Sequence, residues 1–449
     1  MNFNQFVARN TLRNKHLYLA YFLSTLFAVV AYFSFSVFAF NPSLNAGLAA
    51  TSQTVMGVMR AAAVIIYIFS FFFVMYSMDI FLQTRKREFG TFMMQGMSPK
   101  QLQKMIFQEN MIIGFLATIS GILLGFAFAQ AIILLSKQLL AISLDSYFPA
   151  RAIWMTFVSF MILFLLISLF IQFKLPKLSL QDLLKSDKLG KGDIKFSTIK
   201  AIAGFLLLAL GYVLALVAPS NMVPFVMLPV ILLVIVGTSL FFNQFTLFFV
   251  QKLKGNQKLF WKKTNLLLFS DLGFRMKDNA RAFFLVSIIS TVGFSAIATL
   301  YNFRYMLMQA KERVDDEVMR EILDFYAPIL FVGVFIGIVF FVAAGSFLYF
   351  RLFSDISVDV QKFQMVKKIG LTKSELRKMI SQQVGILFFT PIVVALLHGL
   401  VALTAMNHIF ERGLQGVDLG VLGVFFVIQV VYYLVCRFFY IRKLEKEIA

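Results

Sequence analysis

Few residues in this chain of 449 are of a type and spacing that could do chemistry. The three histidines, His16, His398 and His408, are scattered and do not resemble a metal site. No stretch matches G-x-x-x-x-G-K followed by Ser or Thr, the loop that cradles nucleotide phosphates. The single cysteine, Cys436, excludes an intramolecular disulfide. We therefore predict that the chain is not itself an enzyme and binds neither a nucleotide cofactor nor a metal directly.

Ionisable residues are also scarce inside the long apolar stretches of the sequence. Arg60 lies near one end of the second stretch and Asp79 near the other. Two interpretations of Arg60 stay open: its side chain snorkels to the membrane interface, or it contacts the phosphate of a lipid-like ligand. His398 lies within the ninth stretch, where we expect it to form hydrogen bonds between packed helices. This scarcity argues against a proton-coupled carrier, which needs ionisable groups in mid-membrane.

The most informative pattern is an internal repeat, residues 89–110 against residues 363–384. Without a gap, and at a constant offset of 274 residues, seven positions are identical. The same offset carries Gly125 onto Gly399. Repeats of this kind indicate duplication of a structural unit. The seven identical pairs are Phe89 and Phe363, Gly96 and Gly370, Leu102 and Leu376, Lys104 and Lys378, Met105 and Met379, Ile106 and Ile380, and Gln108 and Gln382.

Each copy of the repeat predicts a turn that is followed by a capped helix. A glycine allows the chain to turn, because glycine accepts positive φ without steric cost. A Ser or Thr two residues later can cap the next helix, and a Gln or Glu three positions further completes a reciprocal capping box. In the first copy a proline suits the first helical position. A generic loop helix is the alternative, but two matched copies favour a shared docking function. The docking residues would be Gly96, Ser98, Pro99, Gln101, Lys104, Gly370, Thr372, Glu375 and Lys378.

The elements that must position these turns are membrane-spanning helices. The chain is 60% hydrophobic, with 56 Phe, more apolar surface than a soluble domain of this length could bury. A net charge of +20 would suggest nucleic acid in a soluble protein, but here the basic residues lie between apolar runs. Apolar stretches of about 20 residues predict an all-α polytopic membrane protein. The ten predicted spans are 17–40, 58–82, 111–136, 152–173, 201–218, 222–249, 283–305, 325–350, 383–407 and 419–441.

The distribution of Lys and Arg predicts the orientation. Of 42 such residues, 34 lie on the side that holds both termini and both repeat copies, and seven lie on the other side. Cytoplasmic loops are enriched in Lys and Arg, so we predict cytoplasmic termini in a multi-pass protein of a bacterial membrane. The apolar run 17–40 is too long for a signal peptide, and we expect it to be retained as the first span.

The repeat divides the protein into a four-plus-two-plus-four arrangement. We predict a first four-span unit at residues 1–174, a linker with a two-span hairpin at 175–250, and a second four-span unit at 251–449. Pro219, Ser220 and Asn221 would turn the hairpin. Between spans seven and eight, residues 306–324 are dense in charge of both signs, and no Gly or Pro occurs between Asn302 and Tyr326. We expect both spans to continue there as stiff helices beyond the membrane.

These motifs resemble the FtsX/MacB-like permeases of ABC transporters. Residues 84–110 and their second copy, residues 361–383, carry the resemblance, which extends over nearly the whole chain. The ten spans, the opening residues 1–35 and residues 274–283 are similar to the bacitracin-resistance branch of Gram-positive bacteria.

The resemblance implies one permease chain, two copies of a separate ATPase that supplies ATP, and cytoplasmic closure that drives movement outside. For this branch it also implies resistance to, and sensing of, cell-wall-directed peptide antibiotics. The permease would free lipid-pyrophosphate targets from the drug and signal to a membrane histidine kinase. A non-transporting regulator that activates a cell-wall hydrolase or a kinase is the alternative. The branch carries a large external domain between spans seven and eight, so either that domain is absent here or the sequence lacks its residues.

Overall fold

The computed structural model describes residues 15–42, 52–140, 147–174, 196–219, 222–255, 257–261, 264–310, 316–354, 356–409 and 416–448. All regular secondary structure in these ranges is helical, as the sequence predicts. In lipid every backbone polar group must be satisfied internally, and a helix does this within a single segment. The helices are α1 Lys15–Ala39, α2 Ser52–Thr84, α3 Lys86–Met94, α4 Pro99–Leu140, α5 Ala150–Lys174, α6 Thr198–Val217, α7 Val223–Gly255, α8 Gln257–Phe260, α9 Asn265–Ala310, α10 Asp316–Ser354, α11 Ile356–Lys368, α12 Lys373–Ile409 and α13 Gly416–Ile448.

Ten of the described helices are long and apolar enough to cross a membrane. They are α1, α2, α4, α5, α6, α7, α9, α10, α12 and α13, so the predicted number of spans is confirmed. In both copies of the repeat the capped helix and the following span form one continuous helix, α4 and α12. The docking residues are thus rigidly joined to a membrane-crossing segment.

The charged region between spans seven and eight is helical where it is described. The apolar part of α9 ends at Ala298, but the helix continues to Ala310. Likewise α10 begins at Asp316, well before its apolar part starts at Leu330. The expected helical continuation is confirmed for these residues, while residues 311–315 lie outside the described ranges.

The chain divides into two compact units. The first lies within residues 1–189 and 306–336, and the second within residues 190–305 and 337–449. In the first unit α1 packs on α2, α4 and α5, and α4 packs on α5. In the second unit α6 and α7 pack along each other, α12 contacts α6 and α13, and α11 contacts α13. The predicted boundaries at residues 174 and 250 stay a prediction, and Ser220 and Asn221 of the expected hairpin turn fall outside the described residues.

Matched glycines mark the same helix crossing in both units. A Cβ added to Gly125 of α4 would lie 2.8 Å from the Phe33 ring of α1. A Cβ added to Gly399 of α12 would clash with the Phe294 ring of α9. In each unit, therefore, the third span lets an aromatic ring of the first span approach its backbone. This contact supports the duplication inferred from the offset of 274 residues.

Candidate functional site

Both copies of the repeat form the same turn, for which we use the names first repeat turn (residues 95–98) and second repeat turn (residues 369–372). Gly96 and Gly370 have φ of +96° and +103°, a region that side chains rarely adopt. Around Gly96, the Gly96 N–H donates to Met93 O (3.1 Å) and the Met97 N–H donates to Phe92 O (3.0 Å). This pair of bonds is the Schellman motif, which satisfies the last carbonyls of a helix.

The second repeat turn reproduces this hydrogen-bond pattern. The Gly370 N–H donates to Lys367 O at 3.0 Å, and the Leu371 N–H donates to Val366 O at 3.4 Å. The helices α3 and α11 therefore end in the same way, as the two glycines of the repeat predict.

A reciprocal capping box opens the next helix in both copies. The Ser98 N–H donates to Gln101 Oε1 at 2.9 Å, and the Gln101 N–H donates to Ser98 Oγ at 3.3 Å. In the second copy the Thr372 N–H donates to Glu375 Oε2 at 3.1 Å, and the Glu375 N–H donates to Thr372 Oγ1 at 3.3 Å. Pro99 is the first residue of α4, as predicted. The local geometry predicted for both turns is thus confirmed, while their docking role stays a prediction.

Burial separates the residues that hold the turns from those that face outward. Lys104 and Lys378 are exposed, as are the turn glycines. Large apolar side chains flank both turns on the outside: Met94 is 58% exposed and Ile369 is 86% exposed. An exposed apolar tip beside basic residues is the composition of a surface that another protein covers. Four identical pairs are buried instead and hold the turns in place: Phe89 and Phe363, Leu102 and Leu376, Met105 and Met379, and Ile106 and Ile380.

Behind the first repeat turn lies a buried ion pair that sequence reasoning missed. The Arg85 side chain is fully buried, and its Nη1 lies 2.5 Å from Glu109 Oε2. A signal was present in the sequence: Glu109 follows Leu102, Met105 and Ile106 at the i, i+3, i+4, i+7 spacing of one helix face. That face is buried, so the carboxylate at its end had to be buried too.

Arg60 lies apart from the repeat turns, on an exposed position of α2. The Tyr67 hydroxyl of α2 donates to Ser159 O of α5 at 2.8 Å, which fixes the register of these two helices. Arg60 and Arg151 precede those residues by seven and eight positions, so both arginines lie at the same end of the first unit. The Arg151 guanidinium stacks on the Phe40 ring, 4.6 Å from its centroid.

His398 joins three helices of the second unit, as expected for a residue that packs helices. Thr238 Oγ1 donates to Val234 O at 2.6 Å, so it must accept from His398 Nε2 at 2.9 Å. His398 Nδ1 is then left as an acceptor for the Tyr212 hydroxyl at 2.5 Å. Both ring nitrogens are satisfied in one neutral tautomer, which connects α12 to α6 and α7.

Comparison with protein families gives one match within the chain. Residues 60–180 match the model of the FtsX-like permease C-terminal domain. This range contains the first repeat turn together with Arg85 and Glu109. The second repeat turn lies outside the matched range, although its geometry is the same.

Curated relatives come from the same group of proteins. The chain is 27% identical to the ABC transporter permease protein YxdM of Bacillus subtilis over 629 positions, covering 99% of this chain and 100% of the relative. It is 34% identical to the uncharacterized ABC transporter permease YvcS of Bacillus subtilis, over 70% of this chain and 49% of the relative. It is 25% identical to the bacitracin export permease protein BceB of Bacillus subtilis, over 71% of this chain and 50% of the relative.

The lengths of these matches differ in an informative way. The chain spans about half the length of YvcS and of BceB. The alignment with YxdM extends over 629 positions against the 449 residues of this chain, so many positions of that relative have no counterpart here. The family match, the relatives, the ten helices and the twin turns agree, and the chain belongs to the FtsX/MacB-like permeases, in the branch that includes the bacitracin export permeases.

Proposed function

We propose that this chain is the permease subunit of an ABC transporter, and that its two repeat turns each dock one copy of a separate ATPase. One observation carries the proposal: the same Schellman motif and capping box occur twice, each at the foot of a long helix that crosses the membrane. Two equivalent sockets fit two copies of one partner. Because the capped helix and the span are continuous, a push on either turn moves a membrane helix directly.

The orientation required by this proposal follows from the charge distribution. Both turns and both termini lie on the side that carries 34 of the 42 Lys and Arg. The positive-inside rule puts that side in the cytoplasm, where an ATPase has access to ATP. The exposed lysines beside the turns, Lys104 and Lys378, then face the partner.

The task on the other side of the membrane is resistance to, and sensing of, cell-wall-directed peptide antibiotics, in which lipid-pyrophosphate targets are freed from the drug. The printed name of the relative BceB, a bacitracin export permease, supports this assignment. Arg60, exposed near the predicted outer end of α2, is the candidate contact for the ligand phosphate. A membrane histidine kinase is the partner that would receive the signal.

Charge reversal at the turns tests the docking. The variant Lys104→Glu with Lys378→Glu changes two exposed side chains, so the fold is kept while the surface seen by the ATPase changes. We expect ATPase recovery with the purified permease to fall about tenfold, the effect of roughly 1.4 kcal/mol. Lys200→Glu, at an exposed position of α6, is the matched control and should bind normally. Full ATPase recovery with the reversed lysines and with Gly96→Pro plus Gly370→Pro would refute the docking proposal.

A further inference from the structure

The two repeat turns are held by polar clusters whose charges are inverted. The offset of 274 residues that relates the copies carries Arg85 onto Asp359 and Glu88 onto Lys362. It also carries Glu109 onto Gln383. In the first copy the cation comes first in the pair, and in the second copy the anion does. Position and spacing are thus kept, while the signs are exchanged.

The first cluster joins the junction of α2 and α3 to two spans of its own unit. Arg85 lies between the two helices, and its Nε contacts Glu88 Oε2 at 2.8 Å. Its Nη1 contacts Glu109 of α4, and the Tyr18 hydroxyl of α1 donates to Glu109 Oε1 at 2.7 Å. One carboxylate therefore connects α1, α4 and the junction that leads to the first repeat turn.

Aromatic rings close this first cluster from solvent. The Arg85 guanidinium lies 4.9 Å from the ring centroids of Tyr18 and Phe89 and 5.1 Å from that of Phe81. Burial by itself lowers the pKa of Arg85, but the hydrogen bonds to Glu88 and Glu109 outweigh it, and the net pKa is raised. The charge is therefore retained although the side chain is sealed, and its geometry is fixed by its partners.

The second cluster has the same place in its unit but is open to water. Lys362 Nζ lies 2.8 Å from Asp359 Oδ1 and 2.8 Å from Asp271 Oδ1 of α9. The Tyr440 hydroxyl of α13 donates to Asp359 Oδ2, and Gln383 Nε2 donates to Asp271 Oδ2 at 2.7 Å. The Lys362 side chain is 27% exposed, against 0% for Arg85. Solvated pairs are weaker and exchange more readily than sealed ones.

We propose that Arg85 and Asp359 are positioning residues that fix each repeat turn to the spans of its own unit, and that the two joints are mechanically unequal. The first turn moves as one body with α1 and α4, because its joint is sealed and charge-paired. The second turn is held by a solvated joint and shifts relative to α9 and α13. This inference rests on the proposed function, since two identical ATPase copies would then act on two different joints.

Spin labels on single pairs of cysteines test the inequality in the full chain, purified with its ATPase in lipid. The background is Cys436→Ser, which removes the one native thiol. Exposed positions serve as label sites: Leu23→Cys with Met94→Cys for the first joint, and Val292→Cys with Met365→Cys for the second. We expect one narrow distance peak for the first pair, unchanged between nucleotide-free and ATP-plus-vanadate samples. For the second pair we expect a broader distribution that shifts with nucleotide.

The decisive variant is Arg85→Gln with Glu109→Gln, which leaves no unpaired charge in the buried site and so spares folding. The first label pair should lose its narrow peak, while the second pair and ATPase co-purification stay as in the parent. Arg281→Gln, an exposed arginine of α9, is the control and should change neither distribution.

Each other outcome has a defined meaning. If the double variant keeps the narrow peak, the ion pair only satisfies buried charge and the positioning role is wrong. If both pairs give equally narrow and fixed distances in the parent, the inequality is wrong. Loss of ATPase binding in the lysine-reversal variant concerns docking alone, and ATPase retention there would refute the proposed function while leaving the distances of the joints measurable without nucleotide.

Discussion

The left-handed glycines allow the docking turns to be perturbed without touching any neighbouring side chain. At Gly96 and Gly370 a new Cβ would meet no atom within 4 Å, so alanine adds no steric clash. The backbone is the only source of strain, because φ is +96° and +103°. The left-handed conformation costs about 1–2 kcal/mol for a residue with a Cβ. Across both turns Gly96→Ala with Gly370→Ala costs about 2–4 kcal/mol, a factor of roughly 30 or more in the population of the docking-competent state.

Recovery of the ATPase with the purified permease measures this population. Because the strain is local and lies at the helix ends, membrane insertion and yield should stay near the parent level while ATPase recovery falls. Gly96→Asn with Gly370→Asn should restore much of the binding, since asparagine tolerates left-handed φ better than alanine does. Gly420→Ala is the matched control, because that glycine also has open space around it but lies in α13 without positive φ.

Two results would refute this reasoning. Equal ATPase recovery for the parent and for the double alanine variant would mean that the turn conformation does not decide docking. Equal losses for the alanine and asparagine pairs would mean that backbone strain is not the cause, and that the missing hydrogen at Cα itself contacts the partner.

The remaining predictions concern single sites. Arg60→Ala should weaken protection from a cell-wall-directed peptide at unchanged expression; wild-type resistance would favour snorkelling instead. Gly399→Leu should destabilise the purified protein by about 1–3 kcal/mol through overpacking against Phe294, seen as a lower thermal unfolding midpoint, whereas Gly420→Leu should not. His398→Leu should lower the midpoint further than Tyr212→Phe, because it removes two interhelical hydrogen bonds of about 1 kcal/mol each; equal midpoints would contradict the bridging role.

The sequence by itself determined the helices and the geometry of both repeat turns. Long apolar runs can satisfy their backbone in lipid only as helices, so the ten spans followed from length and composition. Gly96 and Gly370, with the Ser98–Gln101 box, act within a few residues of each other. Their turn and cap chemistry is local, and local chemistry is readable from the chain.

Only the tertiary structure decided how charge is buried behind those turns. The pair of Arg85 and Glu109 joins residues 24 positions apart, and Tyr18 comes from 91 positions before Glu109. From the sequence these side chains looked like ordinary loop charges between two spans. Whether such a charge is solvated or sealed depends on which helices pack around it, and in the first unit α1 supplies the ring and hydroxyl that close the site. The sign inversion between the two clusters became visible because packing gave the matched positions the same place in each unit.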